Sequence, residues 1–428
     1  MRARALRSAA AAVGVLAVLA ISGPGAAVTT GPIVASTVTA SVPAVDADQQ
    51  CTPGQRLLTP APSYLITRLG LDEAWSLSRG AGVTVAVVDS GVDAGNVHLQ
   101  GALVPGFTSF GDDSVPADDD VAAHGTAVAG LIAARRVEGS GVVGIAPEAR
   151  IMPVRAFESG PESGQSSRDL VAPSVTSIVA GIRWAADHGA QIINVSLSDA
   201  HSLDAYRAAV DHAHSRGALV IASAGNRRTA NADRPDPTHF YPGELPGALA
   251  VAAVMKDGSW DADSSFAGDH VDIAAPGQAM PSAYISGGDC VFNGDSASSS
   301  YATAVVSGAA ALVASRFPQE SPDQWAFRLT QSAMRVAPAA RSDTVGWGEV
   351  RPAEALALVD DGMLPGPPSA MNPVQTPEPP VTRTIDLDPV DDPLAPARAI
   401  VGWGFGAGAT ISVILLLLSR ARARRLRD

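Results

Sequence analysis

The chain is poor in cysteine and in positive charge. It has only two cysteines, Cys51 and Cys290, and neither has further metal ligands clustered near it, which argues against a structural zinc site. Lys and Arg number 30 against 43 Asp and Glu, a net charge of −13. Such an acidic balance argues against binding to nucleic acid or to anionic lipid. No internal repeat and no calcium-loop pattern is present. The interpretation therefore involves no metal and no cofactor.

The first 27 residues have the pattern of a secretory signal peptide. Arg2, Arg4 and Arg7 precede an apolar run over residues 9–21, and small residues follow at 25–27. This pattern predicts export, with cleavage near Ala27. An uncleaved anchor is the alternative, but the apolar run is short for a membrane span. Residues 28–64, rich in Val, Thr, Ala and Pro, are predicted to form an N-terminal arm.

The C-terminal end has the pattern of a membrane anchor. Residues 399–418 contain no charge, and twenty helical residues reach about 30 Å, enough to cross a bilayer core. The arginine-rich tail at 419–428 follows at once, so the positive-inside rule places it in the cytoplasm. Residues 362–398 are Pro-rich and are predicted to form an extended linker. The two ends agree on one topology, with the region between them on the extracytoplasmic side of the cell membrane.

Export gives the two cysteines a specific meaning. Two cysteines allow one intramolecular pairing, and disulfides persist outside the cytoplasm. We therefore predict a Cys51–Cys290 disulfide, which ties the N-terminal arm to a loop ten residues before Ser300. The predicted exported part is also more acidic than the whole, with 22 basic and 42 acidic residues, about −20.

Residues 65–361 alternate short apolar runs with helical stretches, which predicts one doubly wound α/β domain around a mostly parallel sheet. The predicted strands are Val83–Asp89, Arg150–Arg155, Ile192–Leu197, Leu219–Ala224, Ala248–Val254 and Val271–Ala275. The predicted helices are His124–Arg135, Ser174–His188, Asp204–Arg216, Ser300–Arg316 and Pro322–Met334. Functional groups in such sheets gather beyond the carboxyl ends of the strands.

Asp89 and His124 are the first two candidate catalytic residues. Asp89 ends the first predicted strand, where a carboxylate can orient an imidazole and stabilise its protonated form. Asp93 lies nearby but past the turn. His124 begins a helix with the small residue Gly125 beside it and is suited to act as a general base. The acidic run at 118–120 is interpreted as a solvated loop.

Asn226 and Ser300 are the other two candidates. Asn226 follows a strand in Ser-Ala-Gly-Asn, where its amide can donate to a developing oxyanion. Ser300 lies at the start of a helix, where backbone N–H groups and the helix dipole favour negative charge. Ser296, in Gly-Asp-Ser, is the rival nucleophile, although four further residues separate it from the helix.

The order Asp89, His124, Ser300 is that of subtilisin-type serine proteases. Four segments resemble the blocks of the subtilase (peptidase S8) family: Ala-Val-Val-Asp-Ser-Gly-Val, His-Gly-Thr-Ala-Val-Ala-Gly, Ser-Ala-Gly-Asn and Val-Asp-Ile-Ala-Ala-Pro-Gly. The resemblance implies a subtilisin-like catalytic domain over residues 65–361, acting on protein or peptide substrates. With its predicted signal peptide, linker and anchor, the chain further resembles the mycosins, membrane-anchored subtilases of type VII secretion systems. That resemblance implies contact with components of the secretion channel.

The sequence departs from the subtilase pattern at the candidate nucleophile. The usual Gly-Thr-Ser is here Ser298-Ser299-Ser300, and the proline four residues later is Ala304. Losing the glycine predicts strain or a blocked pocket, because an added side chain restricts a tight turn. Ser198-Asp199 also replaces glycine beside the S1 pocket, so Asp199 would favour a basic or small P1 residue. Two interpretations follow: an active membrane-anchored endopeptidase, or an impaired subtilase that mainly scaffolds the secretion complex.

Overall fold

A computed structural model describes residue 51 and residues 56–111, 116–158, 170–227, 236–372 and 394–425. The predicted signal peptide lies outside these residues, as do most of the predicted arm, much of the linker and the last three residues of the tail. The strands are β1 Thr84–Asp89, β2 Phe107–Thr108, β3 Arg150–Arg155, β4 Ile192–Val195, β5 Leu219–Ser223, β6 Ala248–Val254, β7 Ile273–Pro276, β8 Met280–Tyr284 and β9 Gly288–Phe292. The helices are α1 Leu65–Arg68, α2 Leu71–Leu77, α3 His124–Ala133, α4 Val175–Asp187, α5 Leu203–Ser215, α6 Ser299–Arg316, α7 Pro322–Gln331, α8 Pro352–Ala357 and α9 Ala395–Arg425.

Seven strands form one parallel sheet in the order β2-β3-β1-β4-β5-β6-β7. Strand β1 pairs with β3 on one side and with β4 on the other, so the strand order reverses there. In doubly wound sheets, ligands bind beyond the carboxyl ends of the strands at such a switch point. The carboxyl ends of β1, β4 and β5 therefore meet where a functional site is expected.

Helices cover both faces of this sheet. α3 and α6 pack on one face together with α1, α2 and α7, while α4 and α5 pack on the other. α6 is buried from Ser299 to Ala314, which explains its alanine-rich composition, because a helix that is apolar all round belongs in a core. At Gly308, an added Cβ would lie 2.6 Å from Cβ of Ile145. The close approach of α6 to its neighbours therefore depends on small residues.

The antiparallel hairpin β8–β9 holds the segment that leads into α1. Cys51 and Cys290 form a disulfide with their Cα atoms 5.6 Å apart, a separation typical of such bonds. Asp289 accepts hydrogen bonds from the backbone N–H of Thr59 and, through its other oxygen, contacts the ring of buried His98 at 3.0 Å. The backbone N–H of Asp289 also donates to Leu57. The hairpin thus anchors residues 57–59 beside the core of the α/β fold.

The C-terminal helix α9 contains the predicted anchor. Among the described residues, Pro396–Arg420 is the helical segment long and apolar enough to cross a membrane by length and composition, with mean hydropathy 2.0. The predicted span, 399–418, lies wholly within it.

The predicted α/β fold with a mostly parallel sheet is confirmed. All six predicted strands and all five predicted helices exist, with ends shifted by three residues or fewer. The largest shift is at the last helix, which ends at Gln331 rather than Met334. The elements that the sequence did not predict are α1, α2, α8, β2, β8 and β9. Most are short, and short segments carry few periods of a hydrophobic pattern.

Candidate active site

Asp89 ends β1 with its side chain fully buried. Its Oδ1 accepts a hydrogen bond from Nδ1 of His124 at 2.7 Å and one from the backbone N–H of Ser90 at 2.8 Å. Asp93 instead accepts from the backbone N–H groups of Gly95 and Ser286. Of the two aspartates, Asp89 is the one in contact with the imidazole.

His124 is the first residue of α3, and its side chain is 14 % exposed. An ionised carboxylate can only accept hydrogen bonds. The proton of the hydrogen bond between His124 and Asp89 therefore lies on Nδ1 of the ring. In the neutral ring, Nε2 is then an acceptor. The start of α3 lies close to the end of β1 because residue 125 is a glycine: a Cβ at this position would collide with the carbonyl oxygen of Gly91 and lie 3.2 Å from Cβ of Asp89.

Asp120 is a buried hub rather than a solvated loop residue, so that interpretation of the acidic run is wrong for Asp120. Its Oδ1 accepts from Ser90 Oγ and from the backbone N–H groups of Ala122 and Ala123. Its Oδ2 accepts from the backbone N–H and the hydroxyl of Thr126. Burial raises the pKa of Asp120 above its ordinary value, although the hydrogen bonds from Thr126 and Ser90 oppose the rise.

This hub joins the loop after β1 to the start of α3. Ser90, which donates to Asp120, also accepts from the backbone N–H of Gly125. Sequence reasoning missed the role of Asp120. The signal was its place four residues before a helix start, where acidic side chains satisfy free N–H groups.

Ser300 is the second residue of α6, and 7 % of it is exposed. Its hydroxyl donates to the backbone carbonyl of Ser196 at 2.8 Å, and Ser196 Oγ donates to the carbonyl of Ser300 at 2.9 Å. A serine hydroxyl has one proton, so in this rotamer that proton is directed to Ser196. The sequence did not predict this contact, which joins α6 to the loop after β4.

Asn226 follows β5 and lies beside the same cavity. Its Nδ2 donates to Ser298 Oγ at 3.3 Å. The preceding Gly225 has φ 102°, and a Cβ there would lie 2.6 Å from the ring of Phe240. Only glycine fits this turn, which explains the Gly-Asn pair of the motif.

The serine run that replaces Gly-Thr-Ser is not strained. Ser298 has φ −122° and ψ 128°, ordinary extended values for any residue, so the prediction of strain at this position is wrong. Ser299 Oγ forms a hydrogen bond with Ser223 Oγ at 2.7 Å. The three serines thus each contact a group at the end of β4 or β5, and none requires a glycine conformation.

A cavity of about 740 Å³ brings most of the predicted site residues together. His124, Asn226 and Ser300 line it, and Asp89 lies behind His124. Ser296, the rival nucleophile, does not line it. The other lining residues are Cys51, Ala122, Ala123, Phe157, Pro173, Ser174, Val175, Ile178, Ser196, Leu197, Ser198, Asp199, His201, Ser223, Tyr284, Phe292 and Tyr301.

The cavity has an apolar part and an acidic group. Asp199 lies on its wall with the side chain 24 % exposed, and its Oδ1 accepts from the backbone N–H and from Nδ1 of His201.

Among the described residues, no group of three or more His, Cys, Asp or Glu side chains is placed to hold a metal ion. That the reaction uses no metal or cofactor stays a prediction.

Known proteins share this architecture. The sequence profile of the subtilase family, Peptidase_S8, matches residues 80–348. Fervidolysin from Fervidobacterium pennivorans is 36% identical over 213 residues, 48% of this chain and 28% of its own length. Thermitase from Thermoactinomyces vulgaris is 33% identical over 264 residues, 60% of this chain and 86% of thermitase.

A solved structure extends the similarity to the mycosins. The MycP3 protease from the type VII (ESX-3) secretion system is 31% identical, with a TM-score of 0.59 over 73% of this chain and 98% of the MycP3 chain. Because the family profile matches well over half of the chain and the fold agrees, the chain belongs to the subtilase family of serine endopeptidases.

Proposed function

We propose that this chain hydrolyses peptide bonds with Ser300 as nucleophile, His124 as general base, Asp89 as the group that orients His124, and Asn226 as an oxyanion donor. The observation that carries the proposal is the 2.7 Å contact between Asp89 and His124 at a cavity that Ser300 and Asn226 also line. That arrangement supports an acyl-transfer reaction, because it places a base, a hydroxyl and an amide donor around one space.

The reaction begins with an exchange of hydrogen bonds. Rotation of Ser300 about χ1 releases its hydroxyl from Ser196 and turns it toward Nε2 of His124. The carbonyl of Ser196 then needs another donor, and a backbone N–H of an extended substrate can supply it. Substrate binding thereby favours the reactive rotamer of Ser300.

The chemical steps follow from the positions of the protons. Nε2 of His124 takes the proton as Ser300 Oγ bonds to the substrate carbonyl carbon, and Asp89 stabilises the imidazolium. Asn226 and the backbone N–H of Ser300 donate to the oxyanion. When the C–N bond breaks, the leaving amine takes the proton from Nε2. Water then attacks the acyl-enzyme, with His124 again as base, and releases Ser300.

We further propose that α9 anchors the enzyme in the cell membrane, with the catalytic domain outside and the arginine-rich tail inside. The apolar segment Pro396–Arg420 supports a single span. The predicted signal peptide and the positive-inside rule support that direction. The similarity to MycP3 supports a place beside a type VII secretion system, with channel components as partners.

Labelling of the detergent-solubilised full chain with a fluorophosphonate probe tests the nucleophile. We expect labelling of the parent and of Ser296→Ala, and none of Ser300→Ala or of chain blocked by excess unlabelled probe. Labelling that persists in Ser300→Ala and disappears in Ser296→Ala would refute the assignment of Ser300.

The hydrogen bond from Ser300 to Ser196 favours a second candidate function, that of an impaired subtilase acting mainly as a scaffold, because the hydroxyl donates its proton to a backbone carbonyl in this rotamer. A secretion assay in cells carrying Ser300→Ala separates the two. If the chain acts as a protease, we expect Ser300→Ala cells to process secreted substrates defectively while the complex still assembles. If the chain acts mainly as a scaffold, we expect normal secretion in Ser300→Ala cells and no probe labelling of the parent protein.

A further inference from the structure

A buried serine stands behind the amide of Asn226. Asn226 lines the cavity, whereas Ser298 is fully buried and does not line it. The hydrogen bond from Asn226 Nδ2 to Ser298 Oγ, at 3.3 Å, therefore runs from the cavity wall into the protein. An amide nitrogen carries two protons about 120° apart. The bond to Ser298 engages one of them, on an amide whose residue also lines the cavity.

We infer that Ser298 is a positioning residue that fixes the amide of Asn226 for oxyanion binding, an inference that rests on the proposed function. The terminal torsion of asparagine has broad minima, so an unanchored amide samples many orientations. A donor stabilises a transition state best when it is already aimed. The Ser298 hydroxyl restrains that torsion from behind, a contact that glycine at this position cannot make.

The usual role of serine at such a place is helix capping, and Ser298 does not perform it. Ser298 is the N-cap residue of α6 with the extended backbone of a capping residue, yet it makes no side-chain capping hydrogen bond to that helix. A capping hydroxyl accepts from the second or third N–H of the helix, here Ser300 or Tyr301. The N–H of Ser300, the second proposed oxyanion donor, is therefore not taken up by a capping hydroxyl.

The backbone of Ser298 is rigid enough to serve as an anchor. Its N–H donates to the carbonyl of Gly277 at 3.0 Å, and its carbonyl accepts from the N–H of Ala302 at 3.2 Å. A Cβ at Gly277 would lie 3.0 Å from the nitrogen of Ser298, so the two segments are in close contact. The Ala-Ala-Pro-Gly block before β8 thus holds the residue that orients Asn226.

A double-mutant cycle on the full chain tests the inference, with kcat and KM measured on a chromogenic peptide. We expect Ser298→Ala to lower kcat about 5- to 20-fold and to leave KM within about twofold, because the lost orientation matters only in the transition state. Asn226→Ala should lower kcat about 10²- to 10³-fold. The double variant should be no slower than Asn226→Ala, because the proposed effect of Ser298 on kcat passes through that amide.

Ser282→Ala is the matched control. Ser282 is also fully buried and makes one hydrogen bond, to the carbonyl of Ala127. The Ser282→Ala variant should lose stability, as the Ser298→Ala variant does, but its kcat should stay the same as in the parent. Additive losses in the double variant, or a rise in kcat in Ser298→Ala, would overturn the inference; the rise would mean that Ser298 competes with the oxyanion.

A second readout needs no turnover, so it separates this inference from the proposed function. In the full chain selectively labelled with ¹⁵N-asparagine, the side-chain amide of Asn226 is identified by its loss in Asn226→Ala. We expect one of its protons to be protected from exchange in the parent and to lose that protection in Ser298→Ala. Unchanged protection would refute the anchor even in an active enzyme, whereas changed protection in an inactive protein would leave the anchor standing and reject the protease.

Discussion

On the His124 side of the cleft the polar contacts end on carboxylates, whereas on the Ser300 side they join serine hydroxyls, an amide and a carbonyl. Asp89 and Asp120 together receive hydrogen bonds from His124, Ser90, Thr126 and backbone N–H groups. Ser300, Ser299 and Ser298 contact Ser196, Ser223 and Asn226.

This difference indicates which side chains of the site are already held in position before substrate binds. Hydrogen bonds to an ionised group are roughly twice as strong as neutral ones, so the base is held firmly in place. The neutral contacts of the serines exchange partners at lower cost. We therefore expect changes at the carboxylates to act on the chemical step, and changes around the serines to depend on the substrate.

Among the substitutions at the two carboxylates, Asp89→Asn should lower kcat the most. An asparagine amide can present N–H to the ring and so favour the wrong tautomer, which lowers kcat about 10⁴-fold in sites of this type. Steady-state kinetics with a peptide substrate measures the loss, and circular dichroism checks that the fold is kept. Asp93→Asn serves as the control, and a larger loss in Asp93→Asn than in Asp89→Asn would contradict the assignment.

Asp120→Asn should have the next largest effect. Five donors converge on this carboxylate, so an NH₂ group in place of one oxygen meets donors rather than acceptors. We expect kcat to fall about 10- to 100-fold as His124 shifts, and the free energy of unfolding to fall by about 1–3 kcal/mol. Chemical denaturation and kinetics measure both. If Asp120 were a solvated loop residue, neither quantity would change.

Asp199→Asn should sharpen the comparison on the substrate side. A carboxylate on the cavity wall attracts a cationic side chain, so peptides with Lys or Arg before the cleaved bond should be preferred over Glu. The substitution should reduce that preference about tenfold, or about 1.4 kcal/mol. Competition between paired peptides measures the ratio. Asp204→Asn, on the exposed first turn of α5, should leave it unchanged; equal effects of the two variants would mean that only overall charge matters.

Asp272 lies outside the cleft and gives a contrast with Asp120, because its effect is expected on stability and not on catalysis. It accepts one hydrogen bond from the backbone N–H of Ala250, and burial raises its pKa from 3.8 to about 6. Since the folded state takes up the proton first, this group makes the protein less stable as pH rises from about 4 to 6. Asp272→Asn should remove that contribution and gain roughly 1–3 kcal/mol at pH 7 relative to its effect at pH 4. Denaturation midpoints at the two pH values test the sign.

The sequence predicted the parts of the site that depend on local pattern. Asp89 at a strand end, His124 at a helix start and Asn226 after β5 all follow from alternating apolar runs and small-residue turns. Asp120 was missed although its place before a helix start was a signal, because an acidic run has the same pattern whether it is solvated or buried. The contacts of Ser298 and Ser300 were equally hidden, since their partners lie more than 70 residues away along the chain.

By itself, the sequence determined the α/β fold, the order of the candidate residues and an apolar segment long enough to span a membrane, because periodicity and motif order are properties of neighbouring residues. Only the tertiary structure decided that Ser298 adopts an unstrained extended conformation, that its hydroxyl turns to Asn226 and that Ser300 rests on Ser196. Those choices depend on which strand ends meet at the start of α6. That meeting is fixed by the packing of the whole core and is not visible in any local pattern.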